Sequence, residues 1–207
     1  MKEEFFIALG ENKTLVTLNL NGTLHTSQPV LNLLGKACAM NHKKQGSLHY
    51  LSLTNAFPNY ATFRSFLENF HVSDFDHETW YGDKKIAKDM TKEQLEKRFE
   101  FGLHHLNIGN SNLSGNGFKH KELVKRKEPL WPHFMKVFTA IDTLNLQFCQ
   151  QLKNDMDLIT HSLYENPVGK TVLRVLNLSR NAIMKEGAKT LASALESNDS
   201  LEVLDIS

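Results

Sequence analysis

The chain has 207 residues, 41% of them hydrophobic and 23% charged, with 24 lysines and arginines against 23 aspartates and glutamates for a net charge of +1. That is the composition of an ordinary globular protein, and its charge balance leaves no global field to draw it onto nucleic acid or an anionic membrane. Cys38 and Cys149, the two cysteines, form no C-x-x-C pair, which suits reduced thiols in a cytosol-like compartment. The apolar stretch behind Lys2 is five residues, too short for a signal-peptide core, and no run approaches the roughly 18 needed to span a bilayer.

In chain order, residues 3–10 read as the last turns of a helix, followed at once by Leu15, Leu18 and Leu20. The pattern therefore opens in mid-unit. Asn21, Gly22 and Thr23 make a bend, and Pro29 starts a helix to about Lys44 whose apolar positions include Val30, Leu33, Leu34, Ala37 and Cys38. Leu48, Leu51 and Leu53 form the next strand, and a helix over 60–70 turns Phe63, Phe66, Leu67 and Phe70 inward.

From Leu48 to the next clear strand, at Leu103, Leu106 and Ile108, the gap is 55 residues. Two readings fit it. One is an insertion of 27 residues; the other is a degenerate strand at Val72, Phe75 and His77, favoured here because helix-like stretches flank it at 60–70 and at Thr91–Phe101, the second with a capping-box spacing from Thr91 to Gln94. After Leu103, residues 110–117 are a glycine- and asparagine-rich bend, Pro129 and Pro132 mark a helix entry, and Leu130, Phe134, Val137 and Phe138 supply its stripe. Ile141, Leu144 and Leu146 are then followed by Cys149, read as a buried structural thiol, and by a helix over 155–164.

The last 37 residues hold the pattern in full. Leu173, Leu176, Leu178, Asn181 and Ile183 spell L-x-x-L-x-L-x-x-N-x-I, and Leu201, Leu204 and Ile206 restart it after 28 residues. Ala188, Leu191, Ala192 and Leu195 fall at i, i+3, i+4 and i+7 of the helix between. No such unit buries its apolar face alone, so units must stack. This stretch, and above all G-A-x-x-L-A-x-A-L from Gly187 to Leu195, resembles the ribonuclease-inhibitor-like leucine-rich repeats, a subtype that also occurs in Ran GTPase-activating proteins, tropomodulins and nucleotide-binding innate receptors. The resemblance implies an α/β fold: one right-handed solenoid over residues 1–207, with a short curved parallel sheet of about seven strands inside and helices outside. Strands are expected at 15–20, 48–53, 72–77, 103–108, 141–146, 173–178 and 201–206, with a degenerate repeat or insertion at about 71–100. Since the pattern starts mid-unit and stops on a strand, the reading expects a longer repeat protein or ends that pair with something.

Side chains that alternate with the core leucines face the concave side. Thr17, Asn19 and Asn21 open that set. The partner-binding candidates are Tyr50, Ser52, Thr54, His105, Asn107, Thr143, Asn145, Gln147 and Asn177, joined by Asp74, Asp76 and Glu78 if the degenerate strand is real; Gly109, Val175 and Ser179 share the face. An acidic spot flanked by His71, His105 and Tyr50 suits a partner with a basic or hydrogen-bonding element. His71, Asp74, Asp76, His77 and Glu78 crowd together without any zinc or calcium spacing, so no metal is expected. The basic run from Lys119 to Lys127 is diluted by Glu122 and carries no aromatic ladder, which makes it a solvated face. No nucleophile elbow, Walker or dinucleotide motif is present. The expectation is a non-enzymatic, cytoplasmic protein-interaction module without cofactors, whose partner is another protein and not nucleic acid, membrane or a small molecule. Its alternatives are a small-GTPase regulator, which the resemblance implies, and a bacterial effector acting on host proteins.

Overall fold

The structure, a computed structural model, describes residues 2–22, 27–71, 102–113, 141–149, 156, 159 and 173–207. In order, the elements are α1 (Glu3–Glu11), β1 (Thr17–Asn19), α2 (Gln28–Lys43), β2 (Tyr50–Ser52), α3 (Tyr60–His71), β3 (His105–Asn107), β4 (Thr143–Asn145), β5 (Val175–Asn177), α4 (Lys185–Ser197) and β6 (Val203–Asp205). The six strands form one sheet in chain order, every neighbouring pair parallel. This is the stacked, leucine-rich-repeat-like arrangement that the spacing implied.

Register follows the leucines. Leu18, Leu51, Leu106, Leu144, Leu176 and Leu204 stand opposite one another in a single row, and the four inner members are buried. Each regular strand is three residues long because the ladder bends at both ends, yet its bonds run on: the Leu20 and Gly22 N–H groups donate to the Ser52 and Thr54 carbonyls, and the same two steps recur from each unit to the next as far as Leu178 and Arg180. The expected six-residue strands are thus the full ladder, of which the regular part is the middle.

The expected strand at 72–77 is corrected. Tyr50, Leu51 and Ser52 pair directly with His105, Leu106 and Asn107, so the place between β2 and β3 that it needed is filled. A strand there would also have set polar His77 where its neighbours bury Leu53 and Ile108. Residues 72–77 themselves, like the expected helices at Thr91–Phe101 and about 129–138, lie outside the described residues.

One apolar core runs from Phe6 to Ala194. Phe63, Phe66, Leu67 and Phe70 of α3 face it as the spacing predicts, and Asn59 caps that helix, its Oδ1 accepting from the Thr62 N–H at 3.0 Å. One stripe is wider than expected and one is turned. In α2, Leu34, Ala37 and Cys38 are buried as expected and Val30 and Leu33 pack against the core from its margin, but Leu31 is also fully buried, because Gly35 sets α2 close against α3: a methyl group there would lie 2.5 Å from the Phe66 carbonyl oxygen. In α4 the buried set is Gly187, Leu191 and Ala194, one residue round from the expected stripe, and Ala188, Ala192 and Leu195 are exposed. Gly187 faces helical, buried Met156 of the preceding unit, so α4 buries the side toward that unit.

Gly35→Ala is therefore expected to destabilise the fold by about 1–3 kcal/mol, since the obstruction is backbone that cannot move aside. Denaturant unfolding of the two proteins measures it. An unchanged midpoint would show that α2 and α3 are not in this contact.

Candidate functional site

Strict register sorts the open face of the sheet into rows, with successive members about 4.8 Å apart. Flanking the leucine row on one side are Thr17, Tyr50, His105, Thr143, Val175 and Val203; on the other are Asn19, Ser52, Asn107, Asn145, Asn177 and Asp205. Of the candidate residues, Tyr50, Thr54, His105, Asn107, Thr143, Asn145, Gln147 and Asn177 are half-buried with a solvent-facing side. Asp74, Asp76 and Glu78 lie outside the described residues and do not stand between Tyr50 and His105 in the ladder.

Tyr50 and His105, cross-strand partners, stack with ring centroids 4.0 Å apart and planes 21° from parallel. One residue earlier, His49 and His104 meet edge to face at 4.7 Å. The His49 Nδ1 lies 2.9 Å from the Gly102 carbonyl, which can only accept, so that nitrogen carries the proton. Burial first, and then the neighbouring His49, hold His104 below the usual imidazole range, with Asp142 opposing; burial likewise lowers His105, again against Asp142. At neutral pH both rings are uncharged and present flat π surface. Gly102 sits at φ +109°, and a Cβ on it would strike the half-buried His42 ring at 2.5 Å, so this approach to β3 requires glycine.

The asparagine row has a role beyond facing solvent. In each of Asn19, Asn107, Asn145 and Asn177, Oδ1 accepts the backbone N–H two residues on, at 3.0, 3.1, 2.8 and 2.9 Å, and Asp205 does the same at 3.0 Å. Each side chain thereby closes the turn that ends its strand. Because a backbone N–H only donates, these bonds also fix which amide atom is oxygen. In β2 the row holds serine, and the neighbouring unit makes up the loss: Asn21 Oδ1 accepts from both the Thr54 N–H at 2.7 Å and the Ser52 hydroxyl at 2.8 Å. Ser52 is only 2% exposed, which removes it from the contact set. The capping role was visible in the sequence as T-L-N, H-L-N, T-L-N, V-L-N and V-L-D at the five positions; the cross-unit role of Asn21 had no such signal.

Beyond the turns lies a third feature. Gly22, Asn55, Asn110, Phe148 and Arg180 occupy the same place in successive units, all at positive φ between 52° and 65°. Glycine and asparagine suit that conformation, whereas phenylalanine and arginine are strained in it. Phe148 is moreover 48% exposed. Behind it, Cys149 is buried against the Ile108 carbonyl, and burial pushes its thiol up to about 12, so it is an unreactive core group, as is Cys38. Among the described residues no group of three His, Cys, Asp or Glu side chains is placed to hold a metal ion, and no helix is long and apolar enough to cross a membrane.

Phe148→Gly is expected to raise stability by about 1 kcal/mol, through relief of the left-handed strain; thermal unfolding checks it, and a drop would show that the ring is held by packing. A second expectation concerns pH. The folded pKa values of His42, His104 and His105 lie below the free-imidazole value of 6.5, chiefly through burial, so as pH falls the unfolded chain takes up protons first. Their contribution is complete above about pH 6.5 and is lost as pH falls from there through the lowered folded values. The melting temperature should hold from pH 8 to 7 and decline toward pH 5, and His42→Gln should flatten that decline.

No protein-family model matches the chain, and no curated protein matches its sequence. Among solved structures it is similar to the tropomodulin C-terminal domain of Caenorhabditis elegans, with a TM-score of 0.54 and 18% identity over 96% of this chain and 93% of that one. A likeness over nearly both whole chains, at so low an identity, is one of fold: both are leucine-rich-repeat-like.

Proposed function

We propose that this chain is a non-enzymatic protein-interaction module that docks a partner protein on the open, concave face of its sheet. The observation that carries the reading is the Tyr50–His105 stack, a flat aromatic anchor set among polar side chains in register across the strands. Interfaces concentrate their energy in such anchors, with hydrogen-bonding groups around them. The leucine-rich-repeat-like fold supports it further, since a stacked sheet offers one partner contacts with several units at once. On the same reading the coil is right-handed, as parallel crossovers are, and the repeats are of the ribonuclease-inhibitor-like subtype, on the 28-residue period and the Gly187–Leu195 helix. The module works in the cytoplasm, without cofactor, and binds protein in preference to nucleic acid, membrane or a small molecule, consistent with its net charge of +1.

Tyr50→Ala should weaken the partner by on the order of 1–3 kcal/mol with the fold retained, measured by calorimetry once a partner is isolated. Changing Lys125, Arg126 and Lys127 together should alter affinity little. A greater loss from those three than from Tyr50→Ala would move the site to the basic run Lys119–Lys127.

A further inference from the structure

An amide side chain normally offers both a donor and an acceptor. On this face the backbone removes the choice. The Oδ1 atoms of Asn107, Asn145 and Asn177 are each taken by an N–H two residues on, with Asn177 also accepting from the Ser179 hydroxyl at 2.7 Å. Their Nδ2 groups have no hydrogen-bond partner among the described residues. Three consecutive strands thus present a row of donors without matching acceptors. The row is bounded on one side by Ser52, buried with its hydroxyl given to Asn21, and on the other by Asp205, which offers only acceptors. No carboxylate stands in the rows beside it from β1 to β5 among the described residues; the nearest in register are Asp142, ahead of β4 and beside His104, and Asp205 itself.

From this we infer that the open face takes an acidic helix, laid across β3 to β5 so that three of its carboxylates accept from the Asn107, Asn145 and Asn177 amides. The inference rests on the docking reading above and gives the partner its chemistry. Carboxylates are favoured over neutral amides because they carry acceptors alone, leaving no donor unpaired, and because charge-assisted bonds are the stronger. A helix is favoured over a strand by length. Three members of one row, about 4.8 Å apart, span about 9.6 Å; residues i, i+3 and i+7 on one helix face span about 10.5 Å, whereas i, i+2 and i+4 of an extended segment span about 13 Å.

The test uses defined probes. A blocked, fluorescently labelled alanine-rich helical peptide with glutamates at i, i+3 and i+7 is titrated with the full chain at low salt. Controls carry glutamine at those places, lysine at those places, or glutamates at alternate positions of a strand-forming peptide. Asn145→Asp is the informative variant, because Asp205 shows that an aspartate in this row still closes its turn, so the fold is kept while the donor is lost. The glutamate helix should bind the native protein about tenfold more tightly than the glutamine helix, and Asn145→Asp should remove that advantage. Equal binding of the glutamate and glutamine helices, preference for the lysine helix or for the strand peptide, or indifference to Asn145→Asp would each overturn the inference. If Tyr50→Ala weakens a natural partner while Asn145→Asp does not, docking on this face stands and the acidic-helix reading falls. Should Asn145→Asp unfold the chain, Asn107→Asp is read in its place, with circular dichroism confirming its fold.

Discussion

One leucine per strand, in one row, is the constraint on which the structure depends. Fully burying such a side chain is worth about 1.5–3 kcal/mol, and here it is gained only if the next strand arrives in register, since each leucine is covered by its neighbours in the row and by the helices behind. A slip of one residue would turn the row to solvent and bring Tyr50, His105 and the asparagines inward. Register, and with it the layout of the open face, is therefore fixed by burial on the opposite face. Asn41 anchors the start of the stack. It is 2% exposed, donates to the Leu9 and Asn12 carbonyls and accepts from the Leu48 N–H, tying the end of α1 to the entry of β2 where no ladder could.

Short strands that turn at once create a second demand, for partners to the backbone groups left at each bend. Two rows of side chains meet it. The strand asparagines accept the N–H that follows them. Behind the turns, Asn181 donates to the Leu146 and Leu178 carbonyls at 2.9 and 2.8 Å, and Cys149 takes the same place one unit earlier with a weaker thiol contact to Ile108 at 3.4 Å. In the two units before that the place holds Ser111 and Ala56, both buried. This second row weakens toward the N-terminus while the ladder and the leucines continue, so the leucines, and not the asparagine behind the turn, are what the stacking requires.

These two demands explain what the sequence could disclose. Leucine spacing is a packing requirement written residue by residue, and it located all six strands and the inner face of α3. Asn181 was likewise readable as the asparagine of the repeat pattern, though its bond to Leu146 of the neighbouring unit was not. The extra strand at 72–77 rests on the 55-residue gap and the helix-like stretches at 60–70 and Thr91–Phe101; yet neither requires a strand in the sheet, and Leu51 and Leu106 meet directly. The stripe of α4 was misplaced by one residue because periodicity gives the width of an apolar face, while the contact between Gly187 and Met156 decides which way it points. At the site, alternation correctly set the asparagines outward, but it could not show that their oxygens were already engaged, because that depends on the turn two residues later.

The same point decides the chemistry of the open face. Alternation, together with an acidic triplet expected between Tyr50 and His105, pointed to a basic or hydrogen-bonding partner. With β2 bonded directly to β3 the triplet is absent from the ladder, and what remains is a row of amides whose acceptor halves serve the fold. Turn closure needs one oxygen from each of these side chains and is indifferent to the atom beside it, as Asp205 demonstrates by closing its turn in the asparagine manner. Turn closure and the hydrogen-bonding group left over on the face therefore belong to different atoms of the same residue. Exchanging nitrogen for oxygen at a single place reverses the sign of hydrogen bonding on that unit while its turn, its ladder and its leucine are left as they were, so the donor and acceptor pattern of such a face can change one repeat at a time without disturbing the stack beneath it.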